Sequence, residues 1–320
     1  MQEQRQIVVT DARTVVGGGV TLDFLQKYGQ VQVYDLTPSE LVAERIREAE
    51  AVFINKVALT APLLAAAPRL RYVGIFATGY NNVDIAAARA RGIAVCNVPG
   101  YSTEAVAQHT FALLLELMNR VGDYRRTVEQ GDWIRSEAFS YFPLPLTELS
   151  GKTIGIVGYG AIGRRVAEIA RAFRMPVLVH GRHPISDPTV QQVPLPELLE
   201  RADVVSLHCP LNADSAGMMD AAALARMKPG AILLNTARGA LVDEAALRAA
   251  LDSGHLGGAG LDVLEHEPMT ADCPLYGAPH CCITPHIAWA GVETRRRLVG
   301  LVEENLRAFL AGTPQNNVAG

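Results

Sequence analysis

The chain has 320 residues, 49% of them hydrophobic, a formal net charge of −4 and five cysteines. A chain of this length and apolar content is expected to form about two domains, each with its own core. The small negative net charge, without a Lys/Arg-rich run, argues against a nucleic-acid or anionic membrane surface. The start of the chain lacks the apolar region of a signal peptide, and no apolar run reaches the roughly 18 residues needed to cross a bilayer. We therefore expect a cytoplasmic protein without membrane or nucleic-acid partners.

The cysteines do not have the spacing of a metal site. Their number is odd, Cys281 and Cys282 are adjacent, and no C-x-x-C pair is present. Reduced thiols are the simpler interpretation in a protein of this kind. We expect no bound metal ion.

The first hundred residues alternate short β-rich runs with helical patterns. Predicted strands cover residues 7–9, 31–34, 51–54, 72–75 and 93–95, and helix-like segments lie near 20–27, 39–48 and 83–91. Strand–helix alternation predicts a parallel sheet covered by helices on both faces. This region is therefore predicted to be a complete small α/β domain.

A glycine-rich turn near the middle of the chain has the flanks of a dinucleotide fingerprint. A β-rich run at 152–157 breaks at Gly158-Tyr159-Gly160-Ala161-Ile162-Gly163 into a helical pattern. Gly158 allows the tight turn, Gly160 lets the backbone approach a pyrophosphate, and Gly163 lets the helix pack closely on the strand. The N–H groups at the helix start, at Ala161 and Ile162, favour the phosphates. The alternative is an ordinary glycine-rich turn between a strand and a helix.

The segments after this turn complete a second sheet. Predicted strands at 177–180, 203–207, 231–235, 258–262 and 281–284 make six with the strand at 153–157, the number found in a doubly wound dinucleotide domain. A last helical pattern at 292–310 follows the completed sheet, so we place it on the first domain. The predicted domains are therefore residues 1–100 with 287–320, and residues 101–286.

Polar groups follow three strands of the second domain, where ligands bind in open α/β sheets. They are Arg238, a carboxylate at Glu265 or Glu267, and His286. Beside a nicotinamide, such a set suffices for carbonyl reduction: the arginine holds a substrate carboxylate, the histidine supplies a proton, and the carboxylate keeps that histidine charged. His208 also follows a strand and is expected to line the cofactor site without catalysing anything.

The chain resembles the D-2-hydroxyacid dehydrogenase family over essentially its whole length. Residues 77–84 and 285–290 are most similar to its hydroxypyruvate/glyoxylate reductase (glycerate dehydrogenase) branch. The resemblance implies two doubly wound α/β domains, with a Rossmann dinucleotide-binding domain inserted in a discontinuous flavodoxin-like substrate domain. The motifs that carry it are Gly158–Gly163, Asn235-Thr236-Ala237-Arg238-Gly239, Gly260-Leu261-Asp262-Val263 with Glu267-Pro268, and Pro285-His286.

The resemblance also implies roles for single residues. Arg238 matches the substrate-carboxylate arginine, Glu267 the partner of the histidine, and His286 the acid/base. Asp262 matches the residue that hydrogen-bonds the nicotinamide amide. Further implied contacts are Thr78 and Gly79 for the substrate carboxylate, and His208, Pro210, Thr236 and Ala237 for the cofactor. Trp289 stands where other reductases of the branch have a small polar residue, and it is either a wall of the substrate pocket or a core residue.

The second strand of the dinucleotide domain ends in Gly181-Arg182. NAD-using members of the family carry an aspartate there, which bonds the ribose hydroxyls. Gly181 removes the carboxylate that would repel a 2′-phosphate, and Arg182 could bind one. We therefore expect NADP(H) to be favoured over NAD(H), which stays possible; the alternative is a surface turn.

These residues predict an NAD(P)H-dependent reductase of small 2-keto acids such as glyoxylate and hydroxypyruvate. The alternatives are another 2-hydroxy acid, formate or phosphite oxidation on the same scaffold, or a non-enzymatic dinucleotide-sensing protein.

The apolar helix at 103–118 and the aromatic segment at 133–142 predict a homodimer, because in relatives the corresponding region crosses between subunits.

Overall fold

The computed structural model describes residues 5–320, and their contacts divide the chain into two units. Unit 1 extends to Ser102 and resumes at Trp289–Gly320, whereas unit 2 comprises Thr103–Ala288. The predicted boundaries, at residues 100 and 286, lie two positions earlier in each case.

Unit 1 contains a five-stranded parallel sheet. Its strands are β1 (Gln6–Val9), β2 (Gln30–Val33), β3 (Ala51–Ile54), β4 (Tyr72–Ile75) and β5 (Ala94–Cys96), in the order β2-β1-β3-β4-β5. This is the flavodoxin-like order. The helices between the strands are α1 (Val42–Ile46), α2 (Ala61–Ala65) and α3 (Ile85–Ala90), with 3-10 turns at Ala12–Thr14, Asp23–Lys27 and Ser39–Leu41.

The composition of each strand in unit 1 reflects its place in the sheet. β3 and β4 are central and fully buried, and both are nearly continuous apolar runs. β2 lies at an edge, alternates glutamine with valine, and is mostly exposed. The core is therefore built on the strands around β1, β3 and β4.

Unit 2 contains a seven-stranded parallel sheet. Its strands are β6 (Ile154–Val157), β7 (Val177–His180), β8 (Gln191–Gln192), β9 (Val204–Leu207), β10 (Ile232–Asn235), β11 (Gly258–Leu261) and β12 (Cys281–Ile283). The order β12-β11-β10-β9-β6-β7-β8, counted from β6, is the dinucleotide-domain order 3-2-1-4-5-6 with one further strand. The predicted count of six was wrong by one, because β8 is two exposed glutamines and too short to form a pattern.

The helices of unit 2 surround this sheet. They are α4 (Thr103–Asn119), α5 (Val121–Glu129), α6 (Ala161–Ala172), α7 (Leu195–Arg201), α8 (Ala221–Arg226) and α9 (Glu244–Asp252). A 3-10 turn follows β10 at Gly239–Leu241.

Helix α4 is buried within its own chain. Phe111 stacks on Phe173, with ring centroids 5.5 Å apart, and Leu113 and Leu114 join a core shared with α6. Unit 2 therefore covers the apolar residues of this helix, and the place of the helix at the centre of a dimer stays a prediction. A group of exposed apolar side chains lies instead in the segment that follows it, between Val121 and Leu146.

The last helix, α10 (Val292–Leu310), belongs to unit 1. Leu298, Val302 and Leu306 recur every four residues on one face and are buried in the same core as Ile7, Phe53 and Tyr72. The prediction of a discontinuous first domain is confirmed, because an amphipathic helix needs a partner and the first sheet provides it.

None of the helices within residues 5–320 is long and apolar enough to span a membrane. All five cysteines are free thiols. In the same range, no group of three or more His, Cys, Asp or Glu side chains is arranged to hold a metal ion.

Candidate active site

The glycine-rich turn after β6 has the backbone that its sequence predicts. Gly158 has a φ of +96°, and a Cβ there would lie 2.6 Å from the backbone nitrogen of Cys209. A Cβ at Gly163 would lie 2.2 Å from the carbonyl oxygen of Gly158. At Gly160 no heavy atom lies within 4 Å of the Cβ position. The chain itself therefore requires the outer two glycines, whereas Gly160 leaves open space for a ligand.

The start of α6 offers donors to that space. The first hydrogen bond of this helix runs from the Arg164 N–H to the carbonyl of Gly160. The N–H groups of Ala161, Ile162 and Gly163 find no acceptor within residues 5–320. Unpaired donors at the positive end of a helix favour a phosphate group. These residues therefore fit the pyrophosphate of a dinucleotide.

The loop that carries Gly181 and Arg182 is ordered by one side chain. Gln192 Nε2 donates to the carbonyl oxygens of Gly181, at 3.2 Å, and His183, at 3.0 Å. Burial raises the pKa of the Cys209 thiol, and the cation of Arg182 opposes that shift. Arg182 is thus within electrostatic range of Cys209, two residues after β9, and the backbone of Cys209 lies against Gly158 of the dinucleotide turn.

A bond that the sequence did not indicate ties this loop to the glycine-rich turn. Tyr159 Oη donates to Asp187 Oδ2 at 2.6 Å, and the guanidinium of Arg164 lies 4.6 Å from the centre of the Tyr159 ring. Burial and the neighbouring Asp187 carboxylate raise the pKa of Tyr159 to about 12, so the phenol stays a donor. Tyr159 occupies a variable position of the fingerprint, and Asp187 reaches it only through the fold of the β7–β8 loop. No sequence signal could have found the pair.

His286 and Glu267 form a direct pair. His286 Nδ1 lies 2.6 Å from Glu267 Oε2, and Glu267 Oε1 accepts the N–H of Leu264 at 3.0 Å. Both side chains are partly exposed, at 26% and 33%. The backbone N–H of Glu265 donates instead to the carboxylate of Glu244. The structure thus brings Glu267, and not Glu265, to the histidine.

Arg238 follows β10 in a tightly held turn. Asn235 Nδ2 donates to the Arg238 carbonyl at 2.8 Å, and Asn235 Oδ1 accepts the N–H of Ala237 at 3.0 Å. A Cβ at Gly239 would lie 1.8 Å from the carbonyl carbon of Leu264, so only glycine fits there. The arginine turn therefore packs directly on the loop that leads to the glutamate, because β10 and β11 are neighbours.

Asp262, at the end of β11, is 1% exposed, and both of its carboxylate oxygens accept hydrogen bonds from residues of the same chain. Its Oδ1 accepts from Thr284 Oγ1 at 2.6 Å and from the Ile287 N–H at 2.9 Å, and its Oδ2 accepts from the Ala288 N–H at 2.8 Å. Burial opposes ionisation, but the nearby His109 ring and the hydrogen bonds from Thr284 and these N–H groups outweigh it and lower the Asp262 pKa. The carboxylate therefore holds the backbone around His286. A contact to the nicotinamide amide stays a prediction.

His208 lies after β9 with its ring Nε2 2.8 Å from Ser206 Oγ. Burial lowers the pKa of His208 to about 4. The ring is therefore neutral near pH 7 and cannot compete with His286 as a proton donor. Pro210, two residues on, accepts the Ser215 hydroxyl at 2.7 Å.

In unit 1, the loop after β4 carries Thr78 and Gly79. Thr78 Oγ1 donates to the Val98 carbonyl and Asn97 Nδ2 donates to the Thr78 carbonyl, both at 2.7 Å. No acceptor for the N–H groups of Thr78 and Gly79 is found in the described part of the chain. A loop fixed in this way with free backbone donors suits a small anion.

Residues 111–288 match the NAD-binding domain of the D-isomer specific 2-hydroxyacid dehydrogenases. The chain is 41% identical over 319 residues to a hydroxypyruvate reductase of Blautia hydrogenotrophica, covering 98% of this chain and 99% of that protein. The chain belongs to the D-isomer specific 2-hydroxyacid dehydrogenase family.

Two further comparisons extend this result. A glycerate dehydrogenase of Methylorubrum extorquens is 43% identical over 284 residues, covering 88% of this chain and 89% of that protein. A crystal structure of an NADPH-dependent glyoxylate/hydroxypyruvate reductase from Sinorhizobium meliloti, in complex with NADP and malonate, is 33% identical with a TM-score of 0.83, covering 96% and 94% of the two chains. As a member of the family, this 2-hydroxyacid dehydrogenase is an oxidoreductase that uses a nicotinamide dinucleotide.

Two predicted contacts of this dehydrogenase have structural roles within the chain. Trp289 packs edge-on against Tyr101, with ring centroids 6.5 Å apart, and lies against the core of unit 1. Thr236 Oγ1 is 3.1 Å from Thr110 Oγ1 on α4, and both are buried. Contacts of Trp289 with the substrate and of Thr236 and Ala237 with the cofactor stay predictions.

Proposed function

We propose that this chain reduces small 2-keto acids, with glyoxylate and hydroxypyruvate as the main substrates, to D-2-hydroxy acids. The observation that carries the proposal is the Glu267–His286 pair at 2.6 Å, at the sheet edge that also bears Arg238 and the dinucleotide turn. The names of the relatives support the choice of substrate, since a hydroxypyruvate reductase and a glycerate dehydrogenase are 41% and 43% identical to this chain.

His286 is the proposed proton donor. A bound nicotinamide dinucleotide supplies the hydride that reaches the carbonyl carbon. The imidazolium of His286 gives its proton to the carbonyl oxygen, so that the carbonyl group becomes an alcohol and the ring becomes neutral. The carboxylate of Glu267, held by the Leu264 N–H, fixes the orientation of the ring.

Binding of the substrate carboxylate is assigned to Arg238 and to the N–H groups of Thr78 and Gly79. The planar guanidinium offers two parallel donors, which suits a carboxylate better than a point charge does. The backbone donors in unit 1 are free of internal acceptors, which supports the same role.

NADPH is the proposed reductant. Gly181 adds no carboxylate at the end of β7, and the Arg182 cation lies close enough to Cys209 to oppose the rise in the thiol pKa. A 2′-phosphate needs a donor and must not meet an acidic side chain at this position. The crystal structure of the Sinorhizobium reductase contains NADP, which supports the assignment without deciding it.

The test is oxidation of NADPH and of NADH by the purified chain with glyoxylate, hydroxypyruvate, pyruvate and phenylpyruvate. We expect the highest kcat/KM with glyoxylate or hydroxypyruvate and with NADPH. Formate and phosphite, each with NADP⁺ and with NAD⁺, serve as controls. Turnover of either control above that of every keto acid would refute the proposed substrate class, and a preference for NADH would refute the cofactor assignment alone.

We further propose that the chain forms a homodimer through residues 121–146. Ile134, Phe139 and Phe142 are 89%, 96% and 77% exposed, and Trp133 Nε1 donates to the Phe139 carbonyl at 3.0 Å. Such a cluster of exposed apolar side chains marks an interaction site, and a second copy of the chain is the partner that closed two-fold symmetry provides. Light scattering at micromolar concentration should give twice the chain mass, and Phe139→Asp should lower it. Leu36→Asp, at an exposed apolar residue of unit 1, is the control; a monomeric wild type would refute this assembly.

A further inference from the structure

Helix α4 contacts the loop that carries the proposed proton donor. His109, on this helix, has its ring Nε2 2.9 Å from Thr284 Oγ1, two residues before His286. The same Nε2 lies 3.4 Å from Asp262 Oδ1. α4 packs on β10, β11 and β12, so the ring is presented by an element that is itself fixed to the sheet.

The direction of each hydrogen bond follows from the chemistry of the groups. The Thr284 hydroxyl lies 2.6 Å from the Asp262 carboxylate and must donate to it, because an ionised carboxylate only accepts. The remaining lone pairs of Thr284 Oγ1 then accept the Nε2–H of His109. Asp262 in turn accepts the two backbone N–H groups directly after His286. A continuous chain of hydrogen bonds therefore runs from the α4 ring through the Thr284 side chain, before His286, to the backbone N–H groups of Ile287 and Ala288 after it.

The next residue of α4 makes the equivalent contact with the arginine turn. Thr110 Oγ1 donates to the Val106 carbonyl at 2.8 Å, so it can only accept from the Thr236 hydroxyl at 3.1 Å. Thr110 is fully buried and Thr236 is 9% exposed. Thr236 lies two residues before Arg238. Without Thr110, the buried hydroxyl of Thr236 would lose its acceptor, which costs more than the loss of an exposed bond.

We propose that His109 and Thr110 are positioning residues: His109 sets the place of His286 through Thr284 and Asp262, and Thr110 sets the place of Arg238 through Thr236. Two consecutive residues of one rigid helix thus fix the acid and the carboxylate-binding group relative to each other. Neither residue touches the substrate in this scheme. The inference rests on the proposed function, because it takes its meaning from the roles of His286 and Arg238.

Substitutions of His109 separate positioning from simple packing. Gln can place an amide Nε2 near the position of the imidazole Nε2, whereas the Asn amide reaches only to the Nδ1 position. We expect His109→Asn and His109→Ala to lower kcat by about tenfold, with the keto-acid KM within about twofold of wild type. His109→Gln should keep most of the wild-type kcat. Gln108→Ala, at the exposed neighbouring residue, is the matched control and should change neither constant.

Substitutions of Thr110 should act on the other constant. Thr110→Val keeps the shape and removes the acceptor, so we expect the keto-acid KM to rise by about five- to tenfold with a smaller change in kcat. Thr110→Ser keeps the hydroxyl and should restore the wild-type KM. The two residues therefore predict opposite patterns: kcat for His109 and KM for Thr110.

The same series includes His286→Ala and a melting curve for every variant. If His109→Ala unfolds, the Gln and Asn variants still carry the test, because they differ only in the reach of the amide. Equal kcat in His109→Gln and His109→Asn, or an unchanged KM in Thr110→Val, would overturn the inference. Wild-type kcat in His286→Ala would instead overturn the proposed function, so the two failures are distinguishable.

Discussion

In both units, a buried aspartate at the carboxyl edge of the sheet accepts backbone N–H groups of a neighbouring loop. In unit 1, Asp11 follows β1, is 2% exposed, and accepts the N–H groups of Asn55, Lys56 and Val57 in the loop after the neighbouring strand β3. In unit 2, Asp262 follows β11 and accepts two N–H groups in the loop after the neighbouring strand β12. In each case a buried carboxylate satisfies backbone donors that no sheet partner reaches.

What differs is the chemistry that each aspartate supports. The loop held by Asp262 carries His286, and the carboxylate is also tied to α4 through Thr284 and His109. The loop held by Asp11 is also held by Asn82, whose Nδ2 donates to the carbonyl oxygens of Asn55 and Val57, and Thr10 donates its hydroxyl to Asp11. One structural solution thus serves both sheets, and the Glu267–His286 pair distinguishes the edge of unit 2, where we propose that the reaction takes place.

The sharpest test of this contrast is removal of the proposed proton donor, His286. His286→Ala should lower kcat by about 10²- to 10⁴-fold, the usual contribution of a positioned acid/base. His266→Ala is the matched control, because His266 is exposed in the same loop as Glu267. Steady-state NADPH oxidation with glyoxylate measures both variants. A near wild-type kcat in His286→Ala would contradict the proposed role of this residue at the edge of unit 2.

The two aspartates can be compared directly. Asp11→Asn and Asp262→Asn each replace an acceptor oxygen by a donor facing backbone N–H groups, so each should destabilise the chain by about 2–4 kcal/mol. Only Asp262→Asn should also lower kcat at a temperature where both variants are folded. Urea unfolding and initial rates measure the two effects, with exposed Asp214→Asn as the control. Equal loss of kcat in both variants would show that the two loops do not differ in function.

The next prediction concerns the rim of the cofactor site. Arg182→Ala should raise the KM for NADPH by roughly 10- to 150-fold and leave that for NADH nearly unchanged, because a charged hydrogen bond to the 2′-phosphate is lost. Gly181→Asp should go further by adding repulsion, and both effects should shrink at high salt. His183→Ala is the control at a neighbouring exposed residue. An equal rise in KM for both cofactors would show that Arg182 is a surface residue that does not bind the 2′-phosphate.

The smallest expected effect is on stability and comes from His208. Its pKa is about 4 in the folded chain, against 6.5 for the free side chain, so between these values the unfolded chain binds more protons. The contribution of His208 to the free energy of unfolding is therefore fully present above pH 6.5. It decreases as the pH falls, by about 1–2 kcal/mol between pH 8 and pH 5. The difference in unfolding free energy between wild type and His208→Asn, measured by urea at both pH values, should shrink by that amount. A constant difference would mean that the ring is not held neutral.

The family motifs and the alternation of strands and helices could be identified from the sequence alone. Both are local: the pattern of apolar residues reports burial on strands and helices, and Gly158 and Gly163 stand where the backbone tolerates no side chain. The assignment of α10 to the first domain could also be predicted from the sequence, because the second sheet was already complete and left no partner for the apolar face of this helix. A strand of two exposed glutamines has no such pattern, and β8 was therefore missed.

The residue pattern left Glu265 and Glu267 open and the family resemblance favoured Glu267, but only the tertiary structure shows what holds that carboxylate at His286. Glu265 and Glu267 are two positions apart and chemically alike, so the path of the loop after β11 had to bring one of them to the ring. The contacts of Thr284 with Asp262 and His109, and of Tyr159 with Asp187, join residues 22 to 175 positions apart. Sequence patterns report which face of an element is buried, but hydrogen bonds between loops depend on strand order and register, which the whole sheet sets.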